Sequence, residues 1–464
     1  METTRRRVLA GLAAGTVGLA GCSGGGSEPT AAGTIRIGLL EPLSGLFAYH
    51  GRQAAAGFLT GLSAAPGTEP PTDLASGVRT VTDGDVTYEV LVRDTRGDVG
   101  RAADAADALV RRRQVDLLAG CASSAAAARV LDTTAIPTAA PMLVGPADDP
   151  VLTATDALCR AVYRFGETTA MDARATFRHL EAEGIGSVYL VGPRNDDEPG
   201  LVEVYRRAAT NSSVSLAGRQ RVDQGRSAWS DTFDAVRSSG ADAVLAPLGP
   251  ATLPRLLAAR ARADTSFRVS APLTDRLLAR QVGAALDDVL DATTADAIRA
   301  AGIGPVTTRY APGHYVEETT ADFVDRFASA YGTAPDAPAA GMFVAGTALA
   351  QAVAETAATD VRTVETALDG MSVTTTPKGE GAYTLQSNGQ AASPYTVAPL
   401  VPTTGSGTGT GTGTTTPTET PTGARSNATW ADGDASVEPG TVADRLLAED
   451  LPLPPSSDAV SCSR

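Results

Sequence analysis

The stretch Ile35-Arg36-Ile37-Gly38-Leu39-Leu40-Glu41-Pro42-Leu43-Ser44-Gly45 opens the folded part of the chain. Its β-branched and apolar residues up to Leu40 predict a strand, and Pro42 and Gly45 predict a turn directly after it. A helix is expected next, over residues 53–64. This strand–turn–helix unit is the first of many.

The same alternation continues along most of the chain. Short β-branched runs predict strands at 86–93, 115–119, 187–191, 243–246 and 267–270, and Ala-rich stretches predict helices at 101–113, 171–183, 228–238, 253–262, 275–286, 320–331 and 339–356. Two more strands, 382–386 and 395–401, are expected around Asn388-Gly389, a pair typical of tight turns. Such alternation predicts an α/β fold whose parallel sheets carry helices on both faces. Ligands of these folds bind beyond the carboxyl ends of the strands.

The first residues carry an export signal. Arginines 5–7 precede an apolar run over residues 8–20, about 13 residues, which is too short to span a bilayer of roughly 30 Å. The paired arginines resemble the signal of the Tat route. Leu19-Ala20-Gly21-Cys22 resembles a lipobox, so we expect residues 1–21 to be removed and Cys22 to carry lipid. Residues 22–33 would then be a tether to the outer face of the membrane.

Charge excludes a nucleic-acid partner. The formal net charge is −15, and loss of three arginines and one glutamate with residues 1–21 makes it −17. No basic stripe is present. Lys378 is the only lysine, and acid excess with scarce lysine favours adaptation to strong brine. A GC-rich genome that prefers arginine is the alternative explanation.

Cysteines and histidines give little sign of chemistry. In an oxidising compartment Cys121 and Cys159 are a candidate disulfide, although two buried thiols would fit the sequence equally well. The three histidines, His50, His179 and His314, lack metal-ligand spacing. No metal, cofactor or catalytic residue is therefore expected, and a surface hydrolase is the weaker rival class.

Several motifs carry a family resemblance. The stretch 35–45 is similar to the opening of branched-chain amino acid-binding proteins, the type I periplasmic binding proteins of ABC importers. Residues 120–124, Gly-Cys-Ala-Ser-Ser, resemble their strand-to-helix turn, and residues 136–153 resemble the next strand and loop. Residues 327–332 and 381–395 resemble the late helix and the closing hairpin, so the resemblance runs from about 34 to 401.

This resemblance implies two doubly wound, Rossmann-like lobes joined by three crossovers, which close on a ligand by a hinge motion. Lobe one is expected over 34–160 plus 300–371, and lobe two over 161–299 plus 372–402. The Thr/Gly/Pro-rich remainder, 403–464, is expected to be a low-complexity tail with one short helix at 442–449.

The resemblance also implies a ligand site. In the family, hydroxyls and helix N-termini of lobe one hold the ligand's carboxylate, which places Ser123 and Ser124 there, unless they only cap the next helix. The loop after the first strand lines the cleft in relatives, so Ser44, Tyr49 and His50 are candidates, with a solvated loop as the alternative.

The sequence departs from the family at three points. The loop threonine of relatives falls at Asp148, beside Ala147. The acidic partner of the ligand's ammonium falls near Leu273, although Thr274 and Asp275 follow, and a loop tyrosine is replaced by residues 195–199, which include Asp197. An aspartate at 148 repels a carboxylate, so an ordinary aliphatic amino acid is in doubt and an amide or a cationic nitrogen compound is favoured.

The expected function is capture of a small polar ligand, an amino acid, an amide or a related nitrogen compound, in a cleft between the two lobes for an ABC importer. The expected partners are the ligand, ABC permease and ATPase subunits, and the membrane through Cys22. A ligand sensor of the same fold without a transport role is the alternative.

Overall fold

Two separate β-sheets organise the chain in the computed structural model, which describes residues 31–154, 162–194, 200–403 and 436–448. The strands, in chain order, are β1 (Gly33–Glu41), β2 (Gly77–Asp83), β3 (Val86–Asp94), β4 (Leu117–Gly120), β5 (Met142–Val144), β6 (Val162–Arg164), β7 (Ser187–Pro193), β8 (Ser215–Val222), β9 (Ala243–Leu245), β10 (Arg268–Leu273), β11 (Ile303–Thr308), β12 (Ser372–Val373), β13 (Tyr383–Leu385), β14 (Ala391–Ala392), β15 (Tyr395–Ala398), β16 (Leu400–Pro402), β17 (Val437–Pro439) and β18 (Asp444–Leu446). The helices are α1 (Ala48–Leu62), α2 (Val99–Arg113), α3 (Ser124–Val130), α4 (Ile136–Thr138), α5 (Thr169–Ala182), α6 (Leu201–Thr210), α7 (Ser230–Ser239), α8 (Leu253–Arg262), α9 (Arg276–Asp287), α10 (Ala295–Ala300), α11 (Glu318–Tyr331), α12 (Ala337–Thr356) and α13 (Val361–Leu368). The predicted α/β class is confirmed.

The first sheet has the order β2-β3-β1-β4-β5-β6. All its neighbours are parallel except β2 and β3, which are antiparallel. Apolar clusters cover both faces of this sheet, one of them including α1, α11 and α12 and the other including α2 and α3. This explains why β4, Leu-Leu-Ala-Gly, is buried at every position, as a central parallel strand should be.

The second sheet has the order β18-β15-β11-β10-β9-β7-β8. Strands β7 to β11 run parallel, whereas β15 is antiparallel to β11 and β18 is antiparallel to β15. Apolar clusters again lie on both faces. The two sheets with their helices are the two lobes of the fold.

Helices α1 and α12 pack unusually closely because both carry glycine at their contact. A Cβ atom at Gly57 would lie 2.2 Å from the Ala339 carbonyl oxygen, and one at Gly61 would lie 2.2 Å from that of Phe343. Helix α12 is also the one helix of the described residues that is long and apolar enough to cross a membrane. Because 83% of its apolar window is buried inside the protein, it is a core helix.

Strand pairing moves three of the predicted lobe boundaries. Strand β6 belongs to the first sheet and β11 to the second, so lobe one extends past residue 160 and lobe two past residue 299. Residues Val373, Tyr383 and Leu385 lie in the core of lobe one rather than of lobe two. The chain therefore passes between the lobes at about 165–168, 309–317 and 393–394, which gives the three crossovers.

The strands around Asn388-Gly389 do not form the expected hairpin. The turn exists, with the Gln390 N–H bound to the Asn388 side chain at 3.0 Å, but it joins β13 to the short β14. Strand β15 lies after the third crossover and pairs with β11 of lobe two. A tight turn predicts that the strands on either side of it pair with each other, as β13 and β14 do. The third crossover follows β14, so β15 belongs to the other lobe.

Residues 436–448 of the predicted tail are among the described residues, and they are folded. Residues 436–448, here called the strap, return to lobe two, where β17 pairs with β16 and β18 adds an edge strand beside β15. The region of the expected helix at 442–449 contains strand β18 instead, because its backbone completes the sheet edge. The lipobox, most of the tether, Cys159 and residues 404–435 and 449–464 lie outside the described residues.

Candidate functional site

A small cavity lies between the lobes at the carboxyl ends of the parallel strands. Its volume is about 250 Å³, and it has walls from both lobes. The lining residues are Phe47, His50, Ala122, Pro146, Asp148, Gly166, Glu167, Pro250, Thr274, Asp275, Leu277, Arg309, Ala337 and Pro338. This position is the one that the strand order of such folds favours for ligands.

The lobes touch beside this cavity. His50 of lobe one lies 3.3 Å from Asp275 of lobe two, through Nε2 and Oδ2. The Asp336 carboxylate of lobe one accepts the Arg276 backbone N–H of lobe two at 2.8 Å and the Tyr49 hydroxyl at 2.6 Å. Both acids stand at helix N-termini, where carboxylates are favoured, since Asp275 begins α9 and Asp336 begins α12.

These contacts shift the titration of the groups that make them. Burial alone would lower the pKa of His50, but the hydrogen bond and charge of Asp275, with Asp336 and Asp148 nearby, raise it. Burial, and then the charge of Asp275, raises the pKa of Asp336 to about 6. The lobe contact is therefore strongest when His50 is charged.

Arg309, in the second crossover, lines the cavity and binds two carboxylates. Arg309 donates to Asp148 at 2.8 Å and to Asp172 at 2.5 and 3.0 Å, and Asp172 also accepts the Tyr395 hydroxyl at 2.9 Å. Burial alone would lower the pKa of Arg309, but the two carboxylates raise it well above its usual range. One guanidinium thus joins lobe one, lobe two and a crossover.

A second buried ion pair lies at the other two crossovers. Lys378 Nζ donates to Glu167 Oε1 at 2.6 Å and to the Pro394 carbonyl at 2.7 Å, and the same carboxylate oxygen accepts the hydroxyls of Tyr383 and Ser393. The two side chains are 0% and 2% exposed. The only lysine of the chain therefore ties the first crossover to the third.

Four of the residues that the sequence singled out line the cavity: His50, Asp148, Thr274 and Asp275. Thr274 donates its hydroxyl to Asp275 at 3.1 Å. Asp197 lies outside the described residues. The remaining candidates, Ser44, Tyr49, Ser123, Ser124 and Ala147, do not line this cavity.

Those five residues have structural partners instead. The Ser44 hydroxyl donates to Asp94 at 2.5 Å, and that of Ser123 accepts the Ala126 N–H at 3.4 Å as the cap of α3. Ser124 Oγ accepts the backbone N–H groups of Asp148 and Asp149 at 3.2 and 3.1 Å. Tyr49 is bound to Asp336, as described above. Ala147 is 1% exposed, in the core of lobe one.

Arg309 and Glu167 are lining residues that the sequence did not single out. Arg309 follows a short strand, and its partners Asp148 and Asp172 lie 161 and 137 residues away, so no local pattern marks it. Only its place directly after a strand of a parallel sheet could have pointed to it.

The described residues contain no group of histidine, cysteine, aspartate and glutamate suited to a metal ion. Cys121 is buried and its thiol is free of any disulfide within the described residues. Burial, followed by the charge of Glu41, raises its pKa well above the usual range, so it is an unreactive thiol in the fold.

The model of the periplasmic binding protein family matches residues 34–406. No curated protein sequence matches the chain. Among solved structures, an amino acid ABC transporter substrate-binding protein from Pseudomonas fluorescens has a TM-score of 0.67 and 16% identity, covering 93% of this chain and 99% of its own.

Some of the similar solved structures contain ligands, among them the following two. The branched-chain amino acid transporter substrate-binding protein LivJ from Streptococcus pneumoniae, in complex with isoleucine, has a TM-score of 0.59 and 14% identity, covering 79% of this chain and 96% of its own. A solute-binding protein of an ABC transporter from R. palustris, in complex with benzoate, has a TM-score of 0.57 and 19% identity, covering 79% and 92%. These likenesses support the fold, and the family match covers most of the chain. The protein therefore belongs to the periplasmic binding protein family, as an exported, type I solute-binding protein.

Proposed function

We propose that this protein captures a small ligand with a cationic or amide nitrogen in the interlobe cavity and presents it to an ABC importer. The observation that carries this proposal is the acidic cavity between the lobes. Its lining acids Asp148, Glu167 and Asp275 are paired with Arg309, Lys378 and His50 in turn. Because Arg309 also serves the buried Asp172, four carboxylates share three basic groups. The excess of carboxylates favours a ligand with positive charge.

The groups that would hold a ligand carboxylate are already engaged. Ser123 and Ser124 bind backbone N–H groups of the fold, and the N–H groups of Asp148 and Asp149 are bound by Ser124. Arg309 is shared by two carboxylates. A ligand with a free carboxylate would meet Asp148, and of the lining guanidinium only Arg309 Nη1 would be left to bind it.

Apolar side chains supply the rest of the cavity wall. Phe47, Pro146, Leu277 and Pro338 line it, and its volume is at the small end for ligand pockets. These walls fit a short aliphatic body rather than a sugar, which needs many polar partners.

The test compares leucine with leucinamide, which keeps the ammonium and replaces the carboxylate with an amide. Isothermal titration calorimetry should show tighter binding of leucinamide by the wild type. Asp148→Asn should reduce that preference about tenfold or more, since a hydrogen bond to a charged group contributes about 1.5–3 kcal/mol. Arg280→Gln, on α9 but away from the cavity, is the matched control. Leucine binding at least as tightly as leucinamide to the wild type would refute the proposal.

The lipid anchor is also part of this proposal. The basis is Leu19-Ala20-Gly21-Cys22 after the apolar run. Cys22→Ser should move the protein from the membrane to the soluble fraction, and replacement of Arg5 and Arg6 by lysine should block export. A Cys22→Ser protein that stays on the membrane would rule out the anchor and leave the ligand site unaffected.

A further inference from the structure

The strap lies beyond the part of the chain that matches the family, which ends at residue 406. It is firmly attached to lobe two. Val437 is fully buried in that core, Gly440 donates to the Pro399 carbonyl at 2.8 Å, and Ala443 donates to the Val397 carbonyl at 2.8 Å. The strap is therefore an integral part of lobe two.

The strap also binds the second crossover. The His314 ring bonds Thr396 through Nδ1 at 2.7 Å and the Gly440 carbonyl through Nε2 at 2.9 Å. Arg445 donates to the His314 carbonyl at 2.5 Å and lies over the Tyr315 ring at 5.0 Å. Strap and crossover thus form two sides of one enclosure.

This enclosure is a second cavity of about 680 Å³, larger than the one between the lobes. Its third side is the end of β10 and the start of α9. Apolar residues from all three sides line it, among them Leu273, Pro312 and Val442. Both size and lining suit a small organic molecule.

Some charged side chains of this cavity are bound to other residues of the protein, and others are not. Asp275 has its carboxylate bound by His50, Thr274 and the Leu278 N–H. In contrast, the Arg276 guanidinium and the Glu438 carboxylate form no hydrogen bond or ion pair within the described residues. Arg445 uses one nitrogen on a carbonyl and reaches Glu317 only at 3.9 Å.

The Arg276 guanidinium is therefore free and that of Arg445 is used in part, whereas only one of the two lining carboxylates, that of Glu438, is free. Tyr310 adds a hydroxyl without a hydrogen-bond partner in the described part of the chain, on a residue that is 4% exposed. Guanidinium binds carboxylate through two parallel hydrogen bonds. The donors of this cavity that have no partner would therefore suit an anion, and the rest of the wall is apolar.

The geometry points to a second ligand site in this cavity, for a small organic acid with one carboxylate and an apolar body. Arg276 binds the carboxylate, and the strap and the second crossover cover the apolar part. The inference does not depend on the ligand proposed for the interlobe cavity.

The two sites are connected through the start of α9. The Arg276 backbone N–H donates to Asp336 across the lobes, and Asp275 lines both cavities. A ligand that holds Arg276 also holds the part of lobe two that meets lobe one. Occupancy of the second site should therefore favour the lobe contact.

The experiment is calorimetric titration of the full chain with benzoate, phenylacetate and hexanoate. Binding of at least one of these acids is expected in the wild type. Arg276→Gln should weaken it about tenfold or more, because the charge-assisted bonds are lost. Val442→Trp, which fills the cavity from the strap, should weaken it by a different route. The matched control Arg280→Gln, on the same helix, should bind as the wild type does.

Variants of the other cavity separate the two sites. Asp148→Asn should leave binding of the acid unchanged even where it alters binding of leucinamide. If none of the three acids binds at millimolar concentration, the inference is wrong. It is equally wrong if Arg276→Gln binds like the wild type, or if Asp148→Asn abolishes binding of the acid while Arg276→Gln retains it.

Discussion

Lys378→Met should be among the most damaging single substitutions in this protein. Lys378 is bound by Glu167, by the Pro394 carbonyl and, at 3.3 Å, by Ser393, and its ammonium lies 5.3 and 5.5 Å from the centres of the Tyr383 and Tyr395 rings. The substitution leaves the Glu167 carboxylate buried without a counter-charge. Removal of one partner from such a pair costs about 3–5 kcal/mol.

The pair can be tested by a double-mutant cycle in urea. Glu167→Gln alone should also destabilise, because it leaves the ammonium with neutral partners only. The double variant should be less destabilised than the sum of the single variants, since no buried charge remains. Arg111→Met is the control: its pair with Asp107 is exposed on α2, and such a pair contributes about 0.3–0.5 kcal/mol.

The same pair predicts a pH dependence. Burial alone would raise the pKa of Glu167, but the charge and hydrogen bond of Lys378 lower it below the ordinary 4.5. Its contribution is therefore present above about pH 4.5 and is lost as the pH falls through the lowered value. A free energy of unfolding for Lys378→Met within about 1 kcal/mol of the wild type would refute a stabilising role for the pair.

Three further predictions concern other parts of the fold. Gly57→Ala should lower the free energy of unfolding, measured in urea, by about 1–3 kcal/mol, because its Cβ would lie 2.2 Å from a backbone carbonyl oxygen. The control Gly100→Ala should be tolerated, since its Cβ would lie 3.4 Å from the nearest atom. Equal stability of the two variants would contradict the close packing of α1 and α12. Glu41 is fully buried, and burial raises the pKa of its carboxyl well above 4.5, although the Ala122 backbone N–H acts in the opposite direction. Glu41→Gln should therefore stabilise the protein by an amount that grows as the pH rises above 4.5, and a gain that is independent of pH would argue against it. Finally, the formal net charge of −15 predicts a melting temperature that rises from low to multimolar salt, and a constant value would favour genome composition as the reason for the single lysine.

The layered α/β fold could be predicted because burial leaves a local signature. A parallel strand such as β4 is apolar at every position, and the helices that cover it show a repeating apolar face, so elements of this kind can be predicted from short windows. Strands β2, β8 and β11 are not among the predicted strands. The lobe boundaries could not be predicted in this way. Strand β11 pairs with β10 and β15, and nothing in its own six residues says which sheet it joins.

In the candidate site, too, some features could be predicted from local sequence and others could not. His50 and Asp275 come shortly after strands, a position that a sequence pattern can mark. However, His50 lies in the first turn of α1 rather than in the expected loop, because α1 begins at Ala48 and not at residue 53. The engagement of Ser124 by the Asp148 loop, and of Asp148 by Arg309, depends on residues that are distant in sequence. Which polar groups remain available to a ligand is thus a property of the fold as a whole.

The pairing of β16 with β17 has a consequence for how the chain can change in evolution. Pro402 lies opposite Val437, so the described residues on either side of 404–435 are neighbours in lobe two. The entropy of closing a loop changes by only about 0.6 kcal/mol for each doubling of its length. The Thr/Gly repeats can therefore expand, contract or acquire sequence for another purpose while the lobes and both cavities keep their geometry. Related chains should differ in length here more than anywhere else between β1 and β18.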